Sequence, residues 1–359
     1  MQPIHVVEST LEGYSGHCYS LVTSLCHALV NVQVELWSAR GALTMDFGSH
    51  VANHPVFHRR IRLIQALLLY RRLLRSGAPI VVTTARRSDL LTIDLIADGP
   101  LPRNRVFLYF HWLRETPAKL RSFRKLAQRQ PHVVIFGTTA TVVEFFKRCG
   151  FASVYLLAYP PPPPASGSDA PVVFRQLLYA GAARQDKGFS LIVDLVELLA
   201  RENDRMPIAV QVSADHYGKV DAKTRADIAR LQAARYAPLA VVSQTLTPRE
   251  YSALFTGGIC LQPYDRDEFR DRVSGVTLDA LSHACPLVAT AGTWSAELIK
   301  PFGAGIELQT LDAASLLNAA REIQRNYAVF QAGARAAGRA QNRKSWAPLL
   351  ELLPRAPTG

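Results

Sequence analysis

The stretch 264–297 most constrains the fold, because a turn, a helix and a buried strand follow one another within it. The apolar spacing of 278–281 predicts a helix that opens at Ser274 and Gly275, and a β-rich run follows at 287–290. This succession is typical of α/β domains built on a parallel sheet. The start of such a helix offers up to four unpaired N–H groups and about half a positive charge, which favours a diphosphate.

The same alternation of short apolar runs and helical segments extends over the whole chain. The predicted strands are 4–7, 32–37, 79–84, 106–110 and 133–136, then 176–179, 208–212, 239–242, 259–262 and 287–290. A run of five prolines at 160–164, followed by Ala-Ser-Gly-Ser-Asp, predicts the linker between two domains. We therefore predict an α/β protein with two Rossmann-like, doubly wound parallel-sheet domains, at 1–164 and 165–334, and a C-terminal helix at 335–359.

The composition is that of a globular protein with material for two cores. The chain has 359 residues, of which 48% are apolar and 19% are charged. No uncharged run reaches the roughly 18 residues that a membrane span needs, and the N-terminus lacks the pattern of a signal peptide. The five cysteines have no CxxC spacing, which argues against a disulfide framework or a zinc site. We expect a cytoplasmic protein with reduced cysteines.

Basic residues are concentrated in the first half, where residues 1–165 carry 19 Lys/Arg against 9 Asp/Glu and so account for +10 of the net charge of +12. The acid-free segment 57–76 has apolar side chains at helical spacing, Leu63, Ile64, Leu67, Leu68 and Leu74. Arginines gather toward its ends: Arg59, Arg60, Arg62, Arg71, Arg72 and Arg75. Such a helix fits docking on an anionic membrane surface. The alternative is a core helix with solvated arginines; nucleic acid is disfavoured as a partner, because no aromatic and basic interleaving accompanies the charge.

Two features of the first half point to a ligand at the carboxyl ends of its strands. Gly13 and Gly16 lie in the loop between strand 4–7 and a predicted helix, where glycine lets the backbone pass close to a ligand. The alternative is that both are turn formers, and the spacing is not the GxGxxG of a dinucleotide site. His111 directly follows strand 106–110, and a polar residue at that end of a parallel strand faces the ligand crevice.

In the second half of the chain, the loop 181–189 is a further candidate phosphate-binding segment beside the stretch 264–297. It follows strand 176–179, begins with Gly181 and contains Arg184 and Lys187 just before a predicted helix. Two cations beside a helix N-terminus would neutralise the charge that develops on a departing diphosphate. A solvated turn is the alternative. The ends of the neighbouring strands, at Ser213 and Leu246, are expected to flank a nucleotide base.

Together these motifs resemble the retaining GT-B glycosyltransferases, specifically glycosyltransferase family 4. That family carries two glutamates separated by seven residues and then a Pro-Val-Val-Ala-like strand; here Asp271 and Asp279 replace the glutamates, ahead of Pro286. Family members also carry Gly-Arg and then Lys-Gly before a helix. In this chain Ala182 stands in the usual arginine place, Arg184 follows two residues later, and Lys187 with its glycine matches directly.

The resemblance implies a role for each candidate residue and a GT-B architecture in which the two domains face a central cleft. The residues implied at the reacting donor sugar and diphosphate are His111, Lys187, Arg184 and Asp271. Those implied in binding the rest of the nucleotide sugar are Gly13, Gly16, Gly181, Ser213, Leu246, Ser274, Gly275, Val276 and Asp279, with Asp279 on the ribose hydroxyls. In this architecture the last helix, around Trp346, crosses back to the first domain.

The function implied is that of a metal-independent, retaining glycosyltransferase without a cofactor. It would transfer a hexose from a UDP-sugar or GDP-mannose to a lipid-linked or glycan acceptor, as a peripheral protein at the cytoplasmic face of the membrane. Retention in the family is explained by front-face attack, in which the leaving diphosphate takes the acceptor proton. The alternatives are a GT-B nucleotide-sugar 2-epimerase and a non-catalytic membrane- or RNA-binding relative. The Asp-x-Asp triplet 265–267 is a metal motif in another glycosyltransferase fold, but the cationic phosphate site makes a metal redundant here.

Overall fold

The computed structural model describes residues 2–13, 17–160, 172–212, 220–244 and 246–353. Three predicted features therefore lie outside the described residues: Gly16, the proline linker beyond Pro160, and the strand end at Ser213. The chain divides into two compact units. Unit 1 comprises residues 1–160 and 343–359, and unit 2 comprises residues 161–342.

Unit 1 contains a seven-stranded sheet in which every adjacent pair is parallel. Its strands are β1 Ile4–Glu8, β2 Val34–Ala39, β3 Val51–Phe57, β4 Ile80–Val82, β5 Val106–Phe110, β6 Val134–Gly137 and β7 Ser153–Leu156, in the order β3-β2-β1-β4-β5-β6-β7. Its first helices are α1 His17–Ala28, α2 Arg62–Ser76, α3 Arg87–Ile96, α4 Pro117–Arg129 and α5 Ala140–Arg148. The Thr139 hydroxyl caps α5 by accepting from the Val142 N–H.

Helix α2 differs from its prediction in both its start and its packed face. Phe57 ends strand β3, and the helix begins only at Arg62. The side chains buried against the sheet are Ala66, Leu69, Tyr70 and Leu73. By contrast, the exposed fractions of Leu63, Ile64 and Leu68 are 66%, 62% and 64%. Most of the predicted apolar stripe therefore faces away from the core, because the neighbouring stripe is the one that meets the sheet.

Unit 2 contains a six-stranded sheet whose adjacent pairs are also parallel. Its strands are β8 Gln176–Tyr179, β9 Ile208–Gln211, β10 Leu239–Val242, β11 Gly258–Gln262, β12 Leu287–Thr290 and β13 Gly305–Leu308, in the order β10-β9-β8-β11-β12-β13. Its helices are α6 Phe189–Arg201, α7 Ala222–Ala233, α8 Pro248–Phe255, α9 Arg266–Phe269, α10 Gly275–Ser282, α11 Trp294–Ile299, α12 Ala313–Arg325 and α13 Tyr327–Lys344.

The strand order reverses beside the first strand of each sheet, between β1 and β4 and between β8 and β11. In open parallel sheets this switch point forms a crevice at the carboxyl ends of the strands, and ligands bind there. In unit 2 the segments that leave this edge are the loop after β8 and the chain from β11 to α10. These are the two segments in which the sequence places its phosphate motifs.

Helix α13 packs on α10 at backbone distance. A Cβ atom at Gly338 would lie 2.5 Å from the carbonyl oxygen of Leu281, near the end of α10, so no larger residue fits at this position. Ala334 and Ala337 on the same helix are fully buried. After α13, the chain ends in α14, Ala347–Leu352, which belongs to unit 1. The indole N–H of Trp346 there donates a 3.0 Å hydrogen bond to Ser24 Oγ.

Candidate functional site

The loop after β8 and the first turn of α10 converge at Gly181. This residue has a φ of +96°, and a Cβ on it would lie 3.1 Å from Lys187 Nζ and 3.3 Å from Val276 Cγ2. Its N–H donates to Gln211 Oε1 at the end of β9, over 2.7 Å. The left-handed backbone favours glycine here, and a larger residue would also press on the lysine ammonium. Three predicted site residues, from two distant motifs, are thus brought together.

Gly188 fixes the other end of this loop against β11. Its φ is +70°, and a Cβ would fall 2.0 Å from the carbonyl oxygen of Pro263, a distance that no side chain tolerates. The N–H of Asp265 also donates to the carbonyl oxygen of Asp186, over 2.9 Å. The loop that carries Arg184 and Lys187 is therefore bonded to the end of the central strand.

A buried polar network connects the loop 181–189 to helix α7. The side-chain amide of Gln185 donates to Asp227 Oδ2 and to Thr224 Oγ1, each over 3.0 Å, and both partners lie on α7. The Ser190 hydroxyl donates to the same Asp227 oxygen. Asp227 is only 4% exposed, so its carboxylate is satisfied by these neighbours rather than by water. Sequence reasoning missed this support, because its members are far apart in the chain.

Three cations surround one carboxylate at the site. Arg184 forms an ion pair with Asp186, with 2.9 Å between Nε and Oδ1. Arg272 Nη1 approaches the same carboxylate at 3.6 Å. Burial, together with the nearby Arg184 and Arg272, lowers the pKa of the Lys187 ammonium to about 8, while Asp186 opposes that change. The cluster has more positive than negative charge and is suited to an anion.

Lys187 and the first turn of α10 are linked by Tyr264, which is fully buried. The Lys187 ammonium lies 5.8 Å from the centroid of the Tyr264 ring, and the tyrosine hydroxyl is 3.5 Å from Ser274 Oγ. Within the described residues, Ser274 makes no side-chain cap hydrogen bond to the helix that it precedes. The Ser274 side chain therefore leaves the first-turn amides at Gly275 and Val276 for another acceptor, and a diphosphate in that place stays a prediction.

Asp279 lies one turn inside α10. Its Oδ2 accepts a 2.9 Å hydrogen bond from the Tyr251 hydroxyl of α8. Burial raises the pKa of this carboxyl to about 6, although the Tyr251 hydrogen bond and the charge on Lys187 oppose the rise. At pH 7 and above the group is therefore mainly ionised and accepts hydrogen bonds.

The remaining predicted residues of unit 2 lie beside these elements. Asp271 is half-buried in the turn that leads to Ser274. Leu246 is half-buried just ahead of α8, the helix that carries Tyr251.

In unit 1, His111 follows β5 as predicted. Its ring packs edge-on against Tyr109 and Tyr159, with centroid separations of 4.7 Å and 5.1 Å. The next residue, Trp112, is 49% exposed. At Gly13 a Cβ would meet no described protein atom within 4 Å, and the close approach of a ligand there stays a prediction.

Sequence reasoning also missed Glu8, which ends β1 at the switch point of unit 1. Its carboxylate is 1% exposed and accepts hydrogen bonds from the hydroxyls of Thr83, at 2.7 Å, and Thr84. The Thr10 N–H donates to its other oxygen over 3.1 Å. An acid at the carboxyl end of a buried strand was the signal available in the sequence.

The arginines around α2 are mostly exposed. Arg59, Arg60, Arg71, Arg72 and Arg75 are exposed, whereas Arg62 is half-buried and lies 3.9 Å from Glu12 Oε1. The guanidinium of Arg72 lies over the ring of Trp37, 5.2 Å from its centroid. Exposed arginines and exposed apolar side chains therefore share one face of this helix. Among the described helices none is long and apolar enough to cross a membrane.

The Asp-x-Asp triplet serves local structure. Asp265 Oδ1 accepts the N–H of Glu268 over 2.9 Å and so caps α9. Asp267 pairs with Arg270 at 2.8 Å, and its side chain is 87% exposed. Across the part of the chain that the structure describes, no three His, Cys, Asp or Glu side chains are grouped so as to hold a metal ion.

Comparison with known proteins shows the fold. No protein-family model and no curated protein matches the chain. Sucrose-phosphate synthase from Thermosynechococcus elongatus is 14% identical, with a TM-score of 0.67, over 97% of this chain and 96% of that one. An alpha,alpha-trehalose-phosphate synthase (UDP-forming) from Burkholderia vietnamiensis is also 14% identical, with a TM-score of 0.65, over 98% and 99%. Anabaena HepE in complex with UDP is 12% identical, with a TM-score of 0.66, over 96% and 95%.

These solved structures are GT-B glycosyltransferases. The chain has the same fold, and the predicted class of two Rossmann-like parallel-sheet domains is confirmed. At these identities the likeness shows the fold alone, so the family 4 assignment stays a prediction.

Proposed function

We propose that the chain is a retaining glycosyltransferase of the family 4 type, which transfers a hexose from a nucleotide-diphosphate sugar. The observation that supports this proposal is the cluster of Lys187, Arg184 and the α10 helix start at the switch point of unit 2. HepE, a solved structure of the same fold, was crystallised with UDP. In the proposed complex the cations hold the diphosphate, and Asp279 accepts a hydrogen bond from a ribose hydroxyl.

The proposed chemistry depends on stabilising the leaving group. As the glycosidic bond of the donor breaks, negative charge develops on the diphosphate, where fixed donors stabilise the transition state more than the ground state. Lys187 and Arg184 supply that charge, and the amides of Gly275 and Val276 supply neutral donors. The diphosphate then takes the proton of the acceptor hydroxyl, so no protein base is needed. Asp271 and His111 keep their predicted roles toward the donor sugar.

Turnover assays separate this function from its alternatives. The protein is incubated with UDP-, GDP- and dTDP-sugars, with and without glycan and lipid-linked acceptors, and free nucleoside diphosphate is measured. Release of nucleoside diphosphate together with a glycosylated acceptor supports the transferase. Sugar epimerised at C2 without an acceptor would instead identify a 2-epimerase. Binding of a nucleotide without turnover across the panel would identify a non-catalytic relative.

The affinity for nucleoside diphosphate is expected to depend on pH through Lys187. Its pKa of about 8 means that the ammonium is charged below pH 8 and loses its charge above it. The Kd for the nucleoside diphosphate is therefore expected to rise between pH 7.5 and 9.5. Titration calorimetry checks this, with Lys187→Arg as the matched variant, because arginine keeps its charge over this range. An equally steep rise in that variant would assign the pH dependence to another group.

Turnover is expected to be nearly insensitive to EDTA. The Lys187 and Arg184 charges neutralise the diphosphate in the proposal, and Asp267 is engaged with Arg270. Asp267→Ala should therefore change kcat by less than about threefold, which is the scale of a surface substitution. Loss of activity on chelation that manganese restores would contradict the metal-independent mechanism and place the 265–267 triplet in the site.

We further propose that the acceptor is lipid-linked or a growing glycan at an anionic membrane face. The support is the exposed face of α2, where Ile64 and Leu68 accompany Arg71 and Arg75. At a bilayer surface the apolar side chains enter the headgroup region, while the guanidiniums pair with anionic lipids. This face would hold the enzyme where its acceptor is anchored.

A further inference from the structure

The carboxylate of Asp186 is shared by two arginines that come from different parts of unit 2. Arg184 belongs to the loop after β8 and makes the closer ion pair, with Nε 2.9 Å from Oδ1. Arg272 belongs to the segment between α9 and α10, and its Nη1 lies 3.6 Å from Oδ2. The second arginine thus reaches the loop of the first from a segment that is distant in the sequence.

The position of Arg272 is fixed by an aromatic ring. Its guanidinium carbon lies 4.9 Å from the centroid of the Phe269 ring, and Phe269 is 2% exposed. Stacking of this kind restrains a guanidinium while leaving its N–H groups free to donate in the plane. One planar donor group is therefore held beside Asp186, two residues ahead of the α10 helix start at Ser274.

The charges at this place do not balance. Arg184, Arg272 and Lys187 supply three positive charges. Two carboxylates lie near them: Asp186, which pairs with both arginines, and Asp279, where burial raises the pKa of the carboxyl and the charge on Lys187 opposes that rise. Both arginines also act on Lys187, since each lowers the pKa of its ammonium. The positive charge of these groups exceeds the negative charge, which is unfavourable in a partly buried site unless an anion joins them. A diphosphate, with its several anionic oxygens, is an anion of the required charge and size.

We propose that Arg272 binds the diphosphate of the donor together with Arg184, and so adds a second guanidinium to the charge that Arg184 and Lys187 supply. Asp186 then acts as a positioning residue, because it holds Arg184 and Arg272 on either side of the phosphate position. The inference rests on the proposed function and adds a residue that the family motif does not contain.

The test compares Arg272→Gln with Arg270→Gln. Arg270 is a matched control: it stands two residues earlier, its side chain is 62% exposed, and its partner is Asp267. Calorimetry measures the Kd of each variant for UDP and GDP, for the corresponding monophosphates, and for inorganic pyrophosphate. Arg272→Gln is expected to weaken diphosphate binding about tenfold or more, the scale for one lost charged hydrogen bond, and monophosphate binding less. Arg272→Lys should restore part of the loss, and Arg270→Gln should change the Kd by less than about twofold.

The outcomes distinguish the inference from the function on which it rests. If the wild-type protein binds UDP or GDP and Arg272→Gln binds it equally well, the assignment of Arg272 is wrong while the donor site stands. Equal weakening of mono- and diphosphate binding would make Arg272 a structural residue and would also overturn the inference. If the wild-type protein binds no nucleotide and no pyrophosphate, the donor site itself is wrong, and the role of Arg272 is wrong with it.

Discussion

Lys187→Ala is expected to lower turnover about 10²-fold or more while leaving the fold intact, which is the scale for losing one preorganised donor at developing charge. The ammonium lies beside Gly181 and the α10 helix start, where charge on a bound diphosphate would develop. The measurement is kcat for release of nucleoside diphosphate from the donor that the panel identifies. Lys223→Ala, on the exposed face of α7, is the control and should retain wild-type turnover.

Stability distinguishes a lost catalytic charge from a damaged fold. A lysine whose pKa is lowered in the folded state destabilises that state at pH values below the lowered pKa, and the effect disappears above the unfolded pKa. Lys187→Met keeps the length of the side chain and removes its charge, so its Tm at pH 7 should equal or exceed that of the wild type. Near-normal kcat in Lys187→Ala would contradict the diphosphate role, and a lower Tm in Lys187→Met would contradict the burial argument.

The second large effect is expected at the exposed face of α2. Arg71→Glu combined with Arg75→Glu should weaken binding to phosphatidylglycerol vesicles by on the order of 10²-fold or more, because each basic residue near the surface contributes about 1 kcal/mol and the glutamates add repulsion. Arg72 is kept, since its guanidinium packs over Trp37. Vesicle sedimentation measures the effect. Hydrolysis of the donor in solution should be unchanged, because these arginines lie outside unit 2.

A matched control separates specific docking from net charge. Arg121→Glu combined with Arg124→Glu makes the same change of charge on α4, whose arginines are exposed without an exposed large apolar side chain beside them. This control should keep most of its vesicle binding. Conversely, Ile64→Ser with Leu68→Ser keeps the charge and removes apolar contact, and should also weaken binding. Sedimentation of the α2 charge variant at the wild-type level would show that the helix does not dock on lipid.

The sequence predicts the centres of both sheets better than their edges. Strands such as β5 and β12 are buried on both faces, so each reads as a continuous apolar run with clear ends. Strand β3 is mostly half-buried and contains His54 and Pro55, and two residues of β7 are exposed, so neither has that signal. An edge strand forms because it pairs with a neighbouring strand. The local sequence pattern of the edge strand carries no information about that pairing.

The residues of the candidate site also differ in how well the sequence predicts them. Lys187 and Asp279 belong to local motifs, and the sequence identifies them. Arg272 and Tyr251 act through partners that are distant in the chain, Asp186 and Asp279 respectively. Their roles appear only when the parallel strands bring the loops together at one edge of the sheet. The orientation of α2 also depends on tertiary packing, because the helix has two apolar stripes and only one of them is buried in the core.

The glycine contact between α13 and α10 would make the proposed donor site adjustable from a helix that does not line it. Because Gly338 lies against the backbone of Leu281, any larger side chain at 338 must displace α13 and the end of α10 relative to each other. A rigid helix transmits such a displacement to Asp279 and to the amides at its start. Substitutions on α13 would therefore change the affinity of the proposed site for a nucleotide while every residue proposed to touch the nucleotide stays the same.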